Sequence, residues 1–302
     1  MPMNTPATES GHPPGPAPDL AVLIPHYNDT RRLGRCLEIL AAQDLTGTEI
    51  VVADNGSTEP LAPLKAAHPG IRFVTEPEKG AGPARNRAVA ETTAPVIAFL
   101  DADCLPAPDW IARARATGAR TDGDVFGGRI DVFDETPPPR SGAEAFEAVF
   151  AFDWLGYIEK KGFSVTANLV TRREVFLSTG PFVNGLSEDL EWCRRATDRG
   201  WRLKPAPDLR VGHPSRTDWT ALRRKWRRTT EETFQLERPR GRLRWIAKAC
   251  AMPLSALAHL PRVLTSPRLA GPGERMRAAG TLFRLRLQRM VWMLRQAAGG
   301  RI

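Results

Sequence analysis

The sequence predicts an α/β fold built on an open sheet with a parallel core, and three observations carry that reading. Between residues 20 and 115, short apolar runs alternate with stretches of helical periodicity. The runs at 20–25 (LAVLIP) and 95–100 (PVIAFL) show no polar alternation, as expected of strands buried on both faces. Polar clusters follow directly on three of the runs, at the strand ends where ligands collect in sheets of this kind.

Taken in order, residues 20–25 form the first strand. After His26-Tyr27-Asn28-Asp29, residues 31–42 place Leu33, Leu37 and Leu40 at helical spacing, with Asp29 or Thr30 as N-cap. Residues 49–53 (EIVVA) form a second strand ending at Asp54-Asn55-Gly56-Ser57-Thr58; 60–67 form a helix and 71–75 a third strand. Residues 80–92 form a helix entered through Gly-Ala-Gly-Pro, where Pro83 is tolerated in the first turn. The fourth strand, 95–100, stops at Asp101-Ala102-Asp103. Further on, 125–133 (VFGGRIDVF) alternates like a strand, 144–157 form one aromatic-rich helix, 164–170 a strand and 187–199 a helix; after Asp218 the pattern is helical and basic throughout.

Composition bounds the function. With 42% apolar and 25% charged residues in 302, the chain is globular, which excludes a fibrous repeat or wholesale disorder. The net charge of +9 is unevenly placed: residues 1–215 hold 23 basic and 29 acidic groups, residues 216–302 hold 20 and 5. Four cysteines without metal spacing exclude a disulfide framework or structural zinc and point to a reducing, cytoplasmic setting. Residues 1–19 read as a disordered Pro-rich leader without the basic and apolar regions of a secretion signal. Every apolar stretch is too short or too interrupted for a spanning helix.

The polar clusters carry the chemistry. If the strand geometry of PVIAFL continued through Asp101-Ala102-Asp103, both carboxylates would face one side, and hard oxygen ligands there suit Mg²⁺ or Mn²⁺ on phosphates. Asp54 at the second strand end can accept base or ribose hydrogen bonds, and the glycine-rich 78–86 segment running into a helix suits phosphate. Each cluster alone is also the pattern of an ordinary solvated turn.

In this order the pieces resemble the family 2 glycosyltransferases of the GT-A fold. The matching residues are Val22-Leu23-Ile24-Pro25-His26-Tyr27-Asn28, Val51-Val52-Ala53-Asp54-Asn55-Gly56-Ser57-Thr58, Gly80-Ala81-Gly82-Pro83-Ala84-Arg85-Asn86 and Ile97-Ala98-Phe99-Leu100-Asp101-Ala102-Asp103. Thr166-Ala167-Asn168-Leu169, Gly180-Pro181-Phe182, Ser187-Glu188-Asp189-Leu190-Glu191-Trp192 and Val211-Gly212-His213 continue the series, so that the resemblance covers about residues 20–230. It implies a mixed, mostly parallel central sheet flanked by helices: a catalytic domain over 20–218, divided into a nucleotide-binding half (20–115) and an acceptor half (116–218), followed by a basic helical extension over 219–302. It implies further that Pro25, Tyr27, Asn28, Asp54, Arg85 and Asp101 contact the nucleotide donor, with Arg85 near base or phosphate. Asp103 and His213 would ligate a divalent cation, Mn²⁺ or Mg²⁺, and Asn168 and Trp192 would lie on the acceptor side. Asp189 would be the catalytic base, with the adjacent Glu188 competing for that role.

The activity so implied is inverting transfer of a sugar from a nucleotide-diphosphate donor to a glycan or lipid-linked acceptor, in cell-envelope or exopolysaccharide synthesis. Two alternatives are a nucleotidyltransferase that forms nucleotide sugars and a non-catalytic nucleotide-binding scaffold. The first calls for a Gly-rich, Lys-containing loop after the first strand, where His26-Tyr27-Asn28-Asp29 stands instead. In the extension, Trp219, Leu222, Trp226 and Thr230 share one helical face, and Phe283, Leu287, Met290, Val291 and Leu294 another. Such helices either dock on the catalytic body or lie on an anionic membrane surface, the inner face of the membrane; no module accompanies the charge that would read nucleic acid.

Overall fold

The computed structural model describes residues 18–237 and 241–302, so the leader expected at 1–19 lies, up to residue 17, outside the described residues. The elements follow as β1 (Leu20–His26), α1 (Thr30–Ala41), β2 (Thr48–Asp54), α2 (Ala62–Ala67), β3 (Arg72–Thr75), α3 (Ala81–Ala90) and β4 (Val96–Leu100). Next come β5 (Leu105–Pro106), α4 (Trp110–Gly118), β6 (Val125–Phe133), α5 (Gly142–Phe150), α6 (Trp154–Lys161), β7 (Asn168–Arg172), α7 (Arg173–Thr179), α8 (Glu188–Asp198) and β8 (Leu203–Pro214). Four helices complete the chain: α9 (Trp219–Glu237), α10 (Arg242–Cys250), α11 (Met252–Leu264) and α12 (Gly271–Ala297).

The strands form one eight-stranded sheet in the order β3-β2-β1-β4-β7-β6-β8-β5. β1 pairs in parallel with both β2 and β4, and β2 with β3, as the apolar runs predict. The central strand explains the lack of alternation. Leu20, Val22 and Ile24 pack with Leu33, Leu37 and Leu40 of α1 and with Trp110 on one face. Ala21 and Leu23 pack with Ala84 and Ala88 of α3 and with Trp192 of α8 on the other. Successive side chains of a strand point to opposite faces, so covering both faces requires apolar residues throughout.

Two expected elements differ in their bounds. The single helix expected at 144–157 is two helices, α5 and α6, separated where Ala151 is extended and Phe152 takes a φ of +50°. The break brings the Phe152 ring to 4.5 Å, centroid to centroid, from His213. The strand expected at 164–170 starts only at Asn168, because Thr166 gives its backbone N–H and hydroxyl to Asp189 instead of to a neighbouring strand. Four elements, β5, α4, α7 and β8, lie in stretches whose periodicity alone does not mark them.

The C-terminal helices pack on the body. Ala143 and Phe146 of α5 share an apolar cluster with Leu222, Ala256, Val263, Ala278, Leu282 and Leu285. A second cluster joins Trp245 and Ala249 of α10 to Met293 and Ala297 of α12. These pairings set α10 and α11 antiparallel to α12. The face of α9 expected from the sequence is the one turned inward, with Leu222 and Thr230 buried. α12 is turned the other way: it buries Leu282, Leu285, Trp292 and Met293 and leaves Leu287, Val291 and Leu294 exposed.

Candidate active site

Because β1, β2 and β4 run parallel, their carboxyl ends meet at one edge of the sheet, bringing together His26, Asp54 and the loop after Leu100. His26 and Asp54 are register partners. The His26 Nε2 accepts from the Asp29 backbone N–H at 3.2 Å, which leaves Nδ1 protonated to donate to Asp54 Oδ1 at 2.9 Å. Ser57 donates its hydroxyl to the same oxygen and its N–H to Oδ2. Burial works against the Asp54 charge, but the bonds from Ser57 and His26 outweigh it and hold the carboxyl below its usual range.

Around this centre, Asn28 takes a φ of +48° and its Oδ1 accepts from the backbone N–H of Thr58 and of Glu59, tying the β1–α1 loop to the β2–α2 loop. Pro25 lies within β1, paired with Ala53. Tyr27 is 57% exposed, and Lys79 Nζ stands 4.8 Å from its ring centroid. A large exposed ring beside a cation is a platform on which a nucleobase can stack.

Arg85, expected near base or phosphate, stands among the carboxylates of the site. Its guanidinium is buried and forks between Asp101 Oδ1 at 2.7 Å and Glu188 Oε1 at 2.9 Å, so it organises the carboxylates of the site. Burial opposes its charge, yet Asp101, Asp189 and Glu188 together hold it more firmly protonated than a free arginine. Asn168 and Trp192, expected on the acceptor side, are fully buried. Asn168 donates to the carbonyls of Arg129 and Leu209 and accepts from Trp110 Nε1; Trp192 donates to the Gly180 carbonyl. Both brace the frame behind the cleft.

Asp101-Ala102-Asp103 is a turn: β4 ends at Leu100, and the Cys104 N–H donates back to the Asp101 carbonyl. Its carboxylates converge through this turn, whereas a continued strand would have aligned them. The two residues of β5 then pair with Val211 and Gly212 of β8, which clips the loop beside His213. Ligand atoms of Asp101, Asp103 and His213 all lie within 4.8 Å of one another, and His213 Nε2 is 3.5 Å from Asp103 Oδ1. Asp101 thus joins the two residues named from the sequence. His213 Nδ1 donates to the Pro214 carbonyl at 2.8 Å, leaving the Nε2 lone pair for a ligand, and burial keeps the ring neutral by lowering its pKa. Two carboxylates and one neutral imidazole form a donor set that fits a divalent cation.

Facing this set, α8 begins with Glu188 and Asp189. Asp189 Oδ1 accepts from the Thr166 hydroxyl at 2.6 Å. Burial and the neighbouring Glu188 push its carboxyl up to about 6, against the pull of Arg85. Glu188 Oε1 accepts from Arg85 at 2.9 Å.

Residues that sequence reasoning missed complete the surroundings. Asp103 shares a cavity of about 370 Å³ with Arg216, Arg224, Lys225 and Arg228. Lys225 and Arg216 both rest on Glu147, a buried carboxylate of α5: Lys225 Nζ lies 2.7 Å from it, and the Arg216 N–H donates at 2.8 Å. The signal for Glu147 was available, since it lies within the otherwise apolar run 145–152. Glu232 of α9 stands near the α8 carboxylates; burial, reinforced by Glu188 and Asp189, pushes it up to about 7 despite Arg228.

The family model of "Glycosyl transferase family 2" matches residues 21–182. The chain is a family 2 glycosyltransferase. The glycosyltransferase AglE of Haloferax volcanii is 31% identical over 219 residues, covering 70% of this chain and 71% of that protein. The pre-mycofactocin glycosyltransferase of Mycobacterium tuberculosis is 29% identical over 297 residues, covering 90% of this chain and 61% of its relative. Among solved structures, the mannosyltransferase PcManGT from Pyrobaculum calidifontis, in complex with GDP-Man and Mn²⁺, superposes with a TM-score of 0.53 at 18% identity, over 94% of this chain and 76% of that one. That likeness shows the fold of this glycosyltransferase to be GT-A. No described helix is long and apolar enough to cross a membrane.

Proposed function

We propose that the chain transfers a sugar from a nucleoside-diphosphate donor to a hydroxyl of a glycan or lipid-linked acceptor, with inversion, in building cell-envelope or exopolysaccharide material. The observation that carries this reading is the placement of Asp189, a carboxyl raised to about 6, opposite Asp101, Asp103 and His213. Asp189 takes the proton from the acceptor hydroxyl, whose oxygen bonds to the anomeric carbon as the bond from that carbon to the diphosphate oxygen breaks. One base and one displacement give inversion. Asp101, Asp103 and His213 would hold Mn²⁺ or Mg²⁺, which neutralises charge on the departing diphosphate when bound. The exposed ring of Tyr27 and the Asp54 carboxylate receive the nucleoside, and the α9 cations around Asp103 offset diphosphate charge. PcManGT, with GDP-Man and Mn²⁺, supports the donor class and the ion. The basic extension over 219–302 holds the enzyme at the inner face of an anionic membrane.

A thermal-shift screen with UDP, GDP, CDP and dTDP sugars, with and without Mn²⁺, tests the reading. One base is expected to raise the melting temperature, and to do so more strongly with Mn²⁺. Asp103→Ala and His213→Ala should remove the Mn²⁺-dependent part and metal-stimulated donor hydrolysis. Unchanged metal stimulation in both variants would sink the metal assignment.

A further inference from the structure

The C-terminal helices pack on the body and still present an apolar outer face. Residues 243, 247, 250, 254, 257, 261 and 264 recur at alternating steps of four and three along α10 and α11, and all are exposed. Four of them are leucines: Leu243 is 83% exposed, Leu254 68%, Leu257 57% and Leu264 53%. The opposite side of the same helices is buried at Trp245, Ala249, Ala256 and Val263. On α12, Met276, Leu287, Val291 and Leu294 are exposed as well, so eight of the twelve exposed large apolar side chains among the described residues belong to α10–α12. A surface this apolar marks an interaction site.

Charge identifies what covers it. Residues 241–302 hold twelve basic residues and one acidic one, and that one, Glu274, is buried beside Arg140. Arg242, Arg244 and Arg262 lie on the same two helices as the leucine row, where Lys248 is paired with Glu237 of α9. A second copy would bring one cationic surface against another, whereas leucines framed by arginines suit a leaflet with anionic headgroups. We propose that the Leu243–Leu254–Leu257–Leu264 row enters the headgroup region of an anionic leaflet while the flanking cations bind lipid phosphates. This rests on the membrane attachment proposed above and names the face that makes it.

Cys250 gives a direct test, because it lies in the row and is exposed, whereas Cys36, Cys104 and Cys193 are buried. An environment-sensitive fluorophore on Cys250 of the full chain should shift to the blue with mixed phosphatidylcholine and phosphatidylglycerol vesicles and stay unshifted with phosphatidylcholine alone. Leu254→Ser with Leu257→Ser should lower vesicle partitioning by about tenfold or more; an unchanged melting temperature and unchanged donor hydrolysis would show the fold and site intact. Binding by the full chain with a silent Cys250 probe, or equal binding by the double variant, would overturn this face and leave membrane attachment standing. No vesicle binding at low salt, with metal-dependent transfer intact, would overturn attachment itself and leave the glycosyltransferase reading untouched. A concentration-dependent probe shift without lipid would assign the row to self-association and overturn the proposal.

Discussion

Replacing Asp189 by Asn is expected to lower the rate of sugar transfer by about 10²–10⁴-fold, the usual contribution of a positioned base. The carboxamide keeps the shape of the side chain and can still accept from the Thr166 hydroxyl, so nucleotide and metal affinity should be unchanged. Transfer by the parent enzyme should rise with pH through about 6, because Asp189, raised to that value by burial and by Glu188, must lose its proton to act. A rate profile flat between pH 5 and 7, with chemistry shown to be limiting, would remove Asp189 from the role. Glu188→Gln is the control. Gln still accepts from Arg85, so transfer should fall far less than in Asp189→Asn if Asp189 is the base, and far more if Glu188 is.

The largest effect on stability is expected at Arg85. Arg85→Met leaves Asp101, Glu188 and Asp189 facing one another without their shared cation. Removing one partner from a buried charge network costs about 3–5 kcal/mol, to be read from denaturant unfolding at neutral pH. The sign of the pH dependence follows from the charges left behind. Without Arg85 these carboxyls are harder to ionise in the folded protein than in the unfolded chain, so their charged forms weigh against folding at neutral pH. As pH falls through the raised folded values they protonate, and the deficit relative to the parent should shrink. A deficit independent of pH would mean that packing, not charge, dominates at Arg85. Mn²⁺ should recover part of the loss, since it would return positive charge next to Asp101.

Much of the sheet, and the strand ends that gather the candidate site, were legible because their signals are local. Buried parallel strands show as unbroken apolar runs, and Asp54 and Asp101 follow directly on the ends of two of them. What stayed hidden depends on contacts between distant parts of the chain. Arg85 meets Glu188 across 103 positions and Lys225 meets Glu147 across 78, and no periodicity reports which opposite charges will be buried together. The turn at Asp101–Asp103 is held beside His213 by β5, a strand of two residues too short to leave a hydrophobic pattern. Asn168 and Trp192 illustrate the converse: their place in the ordered motifs marks a bracing role as readily as a contact with substrate.

The cluster that α5 shares with the C-terminal helices bears on how this protein can be divided. Composition draws a clean line near residue 218, where acidic body gives way to basic tail. Cutting there would uncover Ala143 and Phe146 of α5 and take Lys225 from the buried Glu147 carboxylate. The tail is therefore a poor unit for truncation or for grafting between relatives: the seam that keeps α5 covered and its carboxylate neutralised runs in front of α5, inside the segment that composition assigns to the body.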